Sequence, residues 1–88
     1  MIERTVMVIN SLGLHARPAA QLVRLASSFQ SQIELAKDDL SVNAKSIMGV
    51  MMLAAECGSS LTIRANGNDA EPAVQALSEL VTGGFGES

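Results

Sequence analysis

The sequence predicts an α+β fold, an open-faced β-sandwich in which three helices cover one face of a four-stranded, mostly antiparallel sheet, in the order βαββαβα. Three observations point there. The strand-like segments alternate apolar and polar side chains, so each offers one face to a core and one to water. Each helical segment carries a single apolar stripe and needs a surface to cover. The first helical segment lies between two strand segments and suits a right-handed crossover between parallel, non-adjacent strands, leaving a slot where the last strand pairs antiparallel with both.

Glu3 to Ile9, with Thr5, Val6, Val8 and Ile9, is rich in β-branched residues and runs into the turn Asn10-Ser11-Leu12-Gly13. From Ala16 onward, Ala19, Leu22, Leu25, Ala26 and Phe29 recur at helical spacing. Gln32-Ile33-Glu34-Leu35 alternates, Lys37-Asp38-Asp39 turns, and Leu40-Ser41-Val42-Asn43 returns, which reads as a hairpin. Ser46 stands before Ile47-Met48-Gly49-Val50-Met51-Met52-Leu53, where its hydroxyl suits the free amides opening a short second helix that Gly49 weakens. Gly58-Ser59-Ser60 breaks that pattern, and Leu61-Thr62-Ile63-Arg64-Ala65 alternates strictly. Asn66-Gly67-Asn68-Asp69 supplies a turn and a helix cap, with Glu71 three residues after Asn68 as in a capping box. Ala73, Val74, Leu77, Leu80 and Val81 then form the stripe of a third helix ending at Gly83-Gly84. The tail from Gly83 to Ser88 reads as loose.

The 88 residues fit one small domain, residues 1–88. Apolar residues are 48% of the chain but fall in short runs, none near the ~20 consecutive residues that span a bilayer, so no membrane insertion is expected. Met1-Ile2-Glu3-Arg4 does not open a secretory leader, and a cytoplasmic location is expected. Cys57 stands alone, with the single histidine far away in sequence, so neither a disulfide nor a metal site is expected. A net charge of −3 with scattered Lys and Arg argues against nucleic acid as a partner, and the two aromatic residues, Phe29 and Phe85, read as packing residues. No cofactor is expected, and a monomer is.

Gly13-Leu14-His15-Ala16-Arg17-Pro18-Ala19-Ala20 places the single histidine at a helix entrance. Proline is tolerated in the first turn because its missing N–H would have found no partner there. The amides of Ala16 and Arg17, with the positive end of the helix dipole, make an anion site into which a phosphate on His15 would fit. Arg17 can add a charge-assisted fork to phosphate oxygens, and Arg24, two turns along, extends the positive face toward an acidic partner. Neutral imidazole is a competent nucleophile, and an unperturbed pKa of ~6.5 leaves much of it neutral. A lone histidine at a helix start is more often a solvated surface residue, and spacing alone does not identify phosphotransfer. Neither a nucleophile elbow nor a Gly-rich nucleotide loop accompanies it.

Two segments together resemble the histidine-containing phosphocarrier (HPr) family of the bacterial phosphoenolpyruvate-dependent sugar phosphotransferase system. Gly13-Leu14-His15-Ala16-Arg17-Pro18-Ala19 matches the phosphorylated-histidine motif, and Lys45-Ser46-Ile47-Met48-Gly49-Val50-Met51 matches the regulatory-serine motif. The similarity runs along essentially the whole chain. The resemblance implies a carrier rather than a stand-alone enzyme: His15 takes phosphate on Nδ1 from phosphorylated Enzyme I and passes it to enzyme IIA domains. It further implies that Ser46 is a target of the HPr kinase/phosphorylase and that Ile47, Met48 and Met51 lie on an apolar docking patch. Read from the residues alone, Ser46 is a helix cap and a methionine cluster is more often core than interface. Exposure is nonetheless expected for Met48, because so short a helix cannot bury Ile47, Met48, Val50, Met51 and Leu53 together.

Two positions depart from the family pattern. Leu12 stands where many members have a small polar residue, so capping of the loop before His15 is expected to rely on backbone groups. Ala54 replaces a glycine common after the second helix. The related nitrogen-branch carrier (NPr) shares the histidine segment, and a purely regulatory binding module controlled at Ser46 is a further alternative. The Lys45-to-Met51 segment resembles HPr more, and a binding-only module would not need His15 and Arg17.

Overall fold

The computed structural model describes residues 1–87. Its elements follow the expected order: β1 (Ile2–Met7), α1 (Ala16–Ser27), β2 (Gln32–Lys37), β3 (Leu40–Asn43), α2 (Ile47–Met52), β4 (Ser60–Asn66) and α3 (Ala70–Thr82), with a short 3₁₀ turn at Gly84–Gly86. The strands form one sheet in the order β1-β4-β2-β3, with all three neighbouring pairs antiparallel. Since β1 and β2 are both antiparallel to β4, they run parallel to one another with β4 between them, and α1 makes the crossover.

Register explains which side the helices cover. Val6 sits opposite Leu61, and Leu35 opposite Ile63, so β1, β4 and β2 turn the same row of side chains inward. That row packs on Ala19, Leu22 and Ala26 of α1 and on Ala73, Val74, Leu77 and Val81 of α3, all buried. Deleting one of the larger core side chains, such as Leu22 or Leu77, costs ~2–5 kcal/mol. The other face is polar: the Thr5 and Thr62 hydroxyls lie 3.0 Å apart, and Arg64 donates to Glu3 at 3.2 Å.

Several local expectations change. The first strand ends at Met7 rather than Ile9; Val8 then bonds to Ser59 and Gly58 outside the regular ladder. The hairpin turn narrows to Asp38-Asp39, with Lys37 in β2. The capping box at α3 does not form: the N-cap is Asp69, and its carboxylate accepts instead from the Gln30 and Ser31 amides and the Ser31 hydroxyl. That bond set ties the loop after α1 to the start of α3 and holds the Asp69 carboxyl below the usual carboxylate range, the Ser31 hydroxyl contributing most. The expected loose tail is corrected as well. Gly84–Gly86 is a turn with Phe85 buried in the core, and Glu87 is half-buried; only Ser88 lies outside the described residues.

Candidate functional site

The loop between β1 and α1 is pinned at three points before it reaches His15. Asn10 is buried and its amide donates to the Gly13 carbonyl at 2.8 Å, so the loop is held by a side chain as well as by the expected backbone groups. Gly13 adopts φ +66, and a Cβ there would lie 2.3 Å from the Ala55 carbonyl oxygen, so only glycine fits. Leu14 is buried and its amide donates to the same Ala55 carbonyl at 2.9 Å. Leu12, free of these bonds, points its side chain to solvent.

His15 is the N-cap of α1 and makes no side-chain cap bond. Its carbonyl accepts from the Ala19 amide at 3.0 Å, which closes the first turn. Pro18 has no N–H, and among the described residues the Ala16 and Arg17 amides have no acceptor, so α1 opens on two unengaged donors. Ala16, Arg17 and Arg24 are exposed, and neither arginine has an ion-pair partner among the described residues. The expected constellation is therefore assembled: imidazole, open amides, helix dipole and arginine share one helix start. Arg24 lies further along, at the edge of a shallow groove with Leu80 and Phe85.

One partner of His15 carries no signal in the sequence. His15 Nε2 lies 3.2 and 3.1 Å from the two carboxylate oxygens of Glu87, and the Asn10 amide donates to one of those oxygens at 3.1 Å. The bond from His15 holds the Glu87 carboxyl below the usual range against the opposing effect of partial burial, with help from Asn10 and the charges of His15 and Arg17. An ionised carboxylate only accepts, so this network places a hydrogen on Nε2, and in the neutral ring the lone pair then falls on Nδ1.

Ser46 is half-buried at the start of α2, where its hydroxyl accepts from the Gly49 amide at 3.1 Å, the cap expected of it. Gly49 weakens the helix by propensity but lets it approach β3: a Cβ there would lie 3.3 Å from that of Val42. Of the apolar residues of α2, Val50 is buried while Ile47, Met48 and Met51 are exposed, Met48 at 75%. Met52, also exposed, widens the same apolar surface. Ala54 adopts φ +49, which explains the glycine common there, and Lys37 holds the strained corner by donating to the Leu53 and Ala54 carbonyls at 3.2 and 3.3 Å.

The open sandwich and its uncapped, histidine-bearing helix define a small protein class. Residues 2–83 match the family model described as the PTS HPr component phosphorylation site. The chain belongs to this HPr family, the phosphocarriers of the phosphotransferase system. It is 48% identical over 87 residues to the phosphocarrier protein HPr of Cupriavidus necator, covering 99% of this chain and 98% of that one. The crystal structure of an HPr from Thermoanaerobacter tengcongensis superposes with a TM-score of 0.96 at 49% identity, covering 100% of this chain and 99% of the other. A structure of an HPr dimer from the same organism gives 0.79 at 49% identity, covering 99% of this chain and 100% of the other. The monomer expected from the sequence thus stands beside a relative crystallised as a dimer. No helix among the described residues is long and apolar enough to cross a membrane.

Proposed function

We propose that the chain, acting as a single cytoplasmic domain, accepts phosphate on His15 Nδ1 from phosphorylated Enzyme I and donates it to enzyme IIA domains in sugar uptake. The observation that carries this reading is the imidazole at the open start of α1, with Nε2 engaged by Glu87, which in the neutral ring leaves the lone pair on Nδ1. In the transfer step that lone pair attacks phosphorus, an N–P bond forms, and the bond to the donor breaks with its electron pair leaving on the donor. The Ala16 and Arg17 amides, the helix dipole and the Arg17 guanidinium stabilise the incoming phosphoryl oxygens. Arg24, Ile47, Met48 and Met51 form the surrounding docking surface, one cation beside an exposed apolar patch.

Ser46 serves as the regulatory site for an HPr kinase/phosphorylase. A phosphate there retains oxygen acceptors for the Gly49 amide, so it preserves the cap while setting a dianion beside Ile47, Met48 and Met51. Docking weakens through desolvation and, against an acidic partner, repulsion.

The decisive experiment mixes the protein with phosphoenolpyruvate and Enzyme I, then locates the gained phosphate by intact mass and fragmentation. One acid-labile phosphate on His15 is expected. No mass gain under conditions that phosphorylate another carrier overturns the reading. Parallel assays with Enzyme I of the sugar and nitrogen branches separate this function from that of a nitrogen-branch carrier.

A further inference from the structure

The short helix α2 divides into two faces. Val50 is buried and the Ser46 hydroxyl caps the first turn at the Gly49 amide, so these groups hold the helix to the domain. The other face carries Ile47, Met48, Met51 and Met52, all exposed. Met51 follows Met48 by three residues and Met52 follows it by four, spacings that set side chains beside one another on a helix. Three thioethers therefore share one surface, with Met48, Met51 and Met52 exposed to 75%, 45% and 67%. That surface adjoins the element that bears the nucleophile: α1 packs beside α2, and the Leu14 amide donates at 2.9 Å to the carbonyl of Ala55, just beyond the helix.

We propose that Met48, Met51 and Met52 are a modification site for hydroperoxides, and that oxidising these thioethers to sulfoxides weakens docking of phosphorylated Enzyme I while leaving His15 and the fold intact. This rests on the reading of α2 as part of the surface that meets Enzyme I. With hydrogen peroxide, a sulfur lone pair attacks one peroxide oxygen, an S–O bond forms, and the O–O bond breaks with its electron pair leaving on the other oxygen. That oxygen takes the proton from the transferred one and departs as water, so sulfur is oxidised and the peroxide reduced. A sulfoxide is polar, and burying it against a partner carries a desolvation cost that a thioether does not. Because the three side chains stand outside the core, Val50 and the Ser46 cap stay as they were. Methionine sulfoxide is reduced back enzymatically, which makes the loss reversible.

The test treats the full-length parent with hydrogen peroxide and locates the added oxygens by intact mass and fragmentation. Calorimetric affinity for Enzyme I, the kinetics of phosphate acceptance and a melting curve are measured before and after. Oxidation is expected to weaken binding and raise KM about tenfold, with kcat little changed and the melting temperature held. Met7 and Cys57 are exposed outside α2, so Met7→Leu and Cys57→Ser should respond to peroxide as the parent does. Met48→Leu, Met51→Leu and Met52→Leu combined keep the face apolar without sulfur. That variant, compared with its own untreated form, should show no response. A methionine sulfoxide reductase with dithiothreitol should restore the oxidised parent. Unchanged affinity in a parent oxidised at all three positions overturns the proposal, as does a triple variant that responds like the parent. A response lost in Met7→Leu or Cys57→Ser, or explained by a lowered melting temperature, overturns it too. A parent that binds Enzyme I but gains no phosphate on His15 strikes the carrier reading instead, and affinity alone then decides whether oxidation gates docking. A parent that does not bind Enzyme I overturns the proposal.

Discussion

The first two helices begin in opposite ways. At α2 the residue before the helix, Ser46, turns its hydroxyl onto the Gly49 amide and closes the end. At α1 the residue in the same position, His15, makes no cap bond and sets its Nε2 against Glu87, and the first amides stay open. A capped start contributes stability: replacing such a serine by alanine costs ~1 kcal/mol. An uncapped start forgoes that contribution and keeps its donors and dipole for a ligand. The difference separates a helix end that holds the fold from one poised to hold an anion, and it follows from one side chain at each site. The start of α3 is a third case, because Asp69 neither caps its own helix nor stays free, but binds the loop after α1.

The sharpest way to break this comparison is to remove the histidine. His15→Ala should abolish phosphate acceptance altogether while the melting temperature stays close to the parent's, since no side-chain cap is lost. Intact mass after incubation with phosphoenolpyruvate and Enzyme I reads the first effect and a melting curve the second. An acid-labile phosphate persisting in the variant would place the acceptor elsewhere.

At the capped start the expected effect is next in size. Ser46→Asp keeps an acceptor for the Gly49 amide and adds negative charge at the positive end of α2, so thermal stability should hold or rise slightly. Transfer from Enzyme I should nevertheless drop sharply, through weaker association. Calorimetric binding to Enzyme I beside a melting curve distinguishes the two: unchanged affinity, or a fall in melting temperature that accounts for the lost activity, contradicts an electrostatic gate.

Arg17→Ala probes the open start without touching the nucleophile. Losing one charge-assisted contact to phosphate should slow transfer roughly tenfold and leave the fold intact. Stopped-flow transfer rates equal to the parent's in both directions would reduce Arg17 to a surface charge.

The smallest effect is expected at α3, and it appears in the pH dependence of stability. Asp69 has its folded pKa lowered by the bonds from Ser31 and Gln30. Its contribution is therefore complete above the ordinary carboxylate range and is lost as pH falls through the lower folded value, because the unfolded chain then binds the proton more readily. Melting curves of the parent between about pH 2 and 6 should show this loss, and Asp69→Asn should flatten it. Identical pH profiles for the two proteins would mean that the Asp69 bonds contribute nothing.

Much of this protein was legible in its sequence because the signals are local. Strand alternation and helical stripes need only near neighbours, which is why the order of elements, the crossover and the exposed Met48 beside a buried Val50 could be read directly. The His15 and Ser46 segments are also contiguous, so their motifs survive in one dimension. What the sequence could not supply are the partners brought in from far along the chain. Glu87 meets His15 across 72 residues and Asn10 across 77, and Asp69 meets Ser31 across 38. A carboxylate after a glycine pair looks like a solvated tail, and an aspartate before a helix looks like its cap, until the core fixes where each one points. The tertiary structure alone decided these contacts, because burying Phe85 and docking α3 on the sheet determine which distant polar groups come within hydrogen-bond reach.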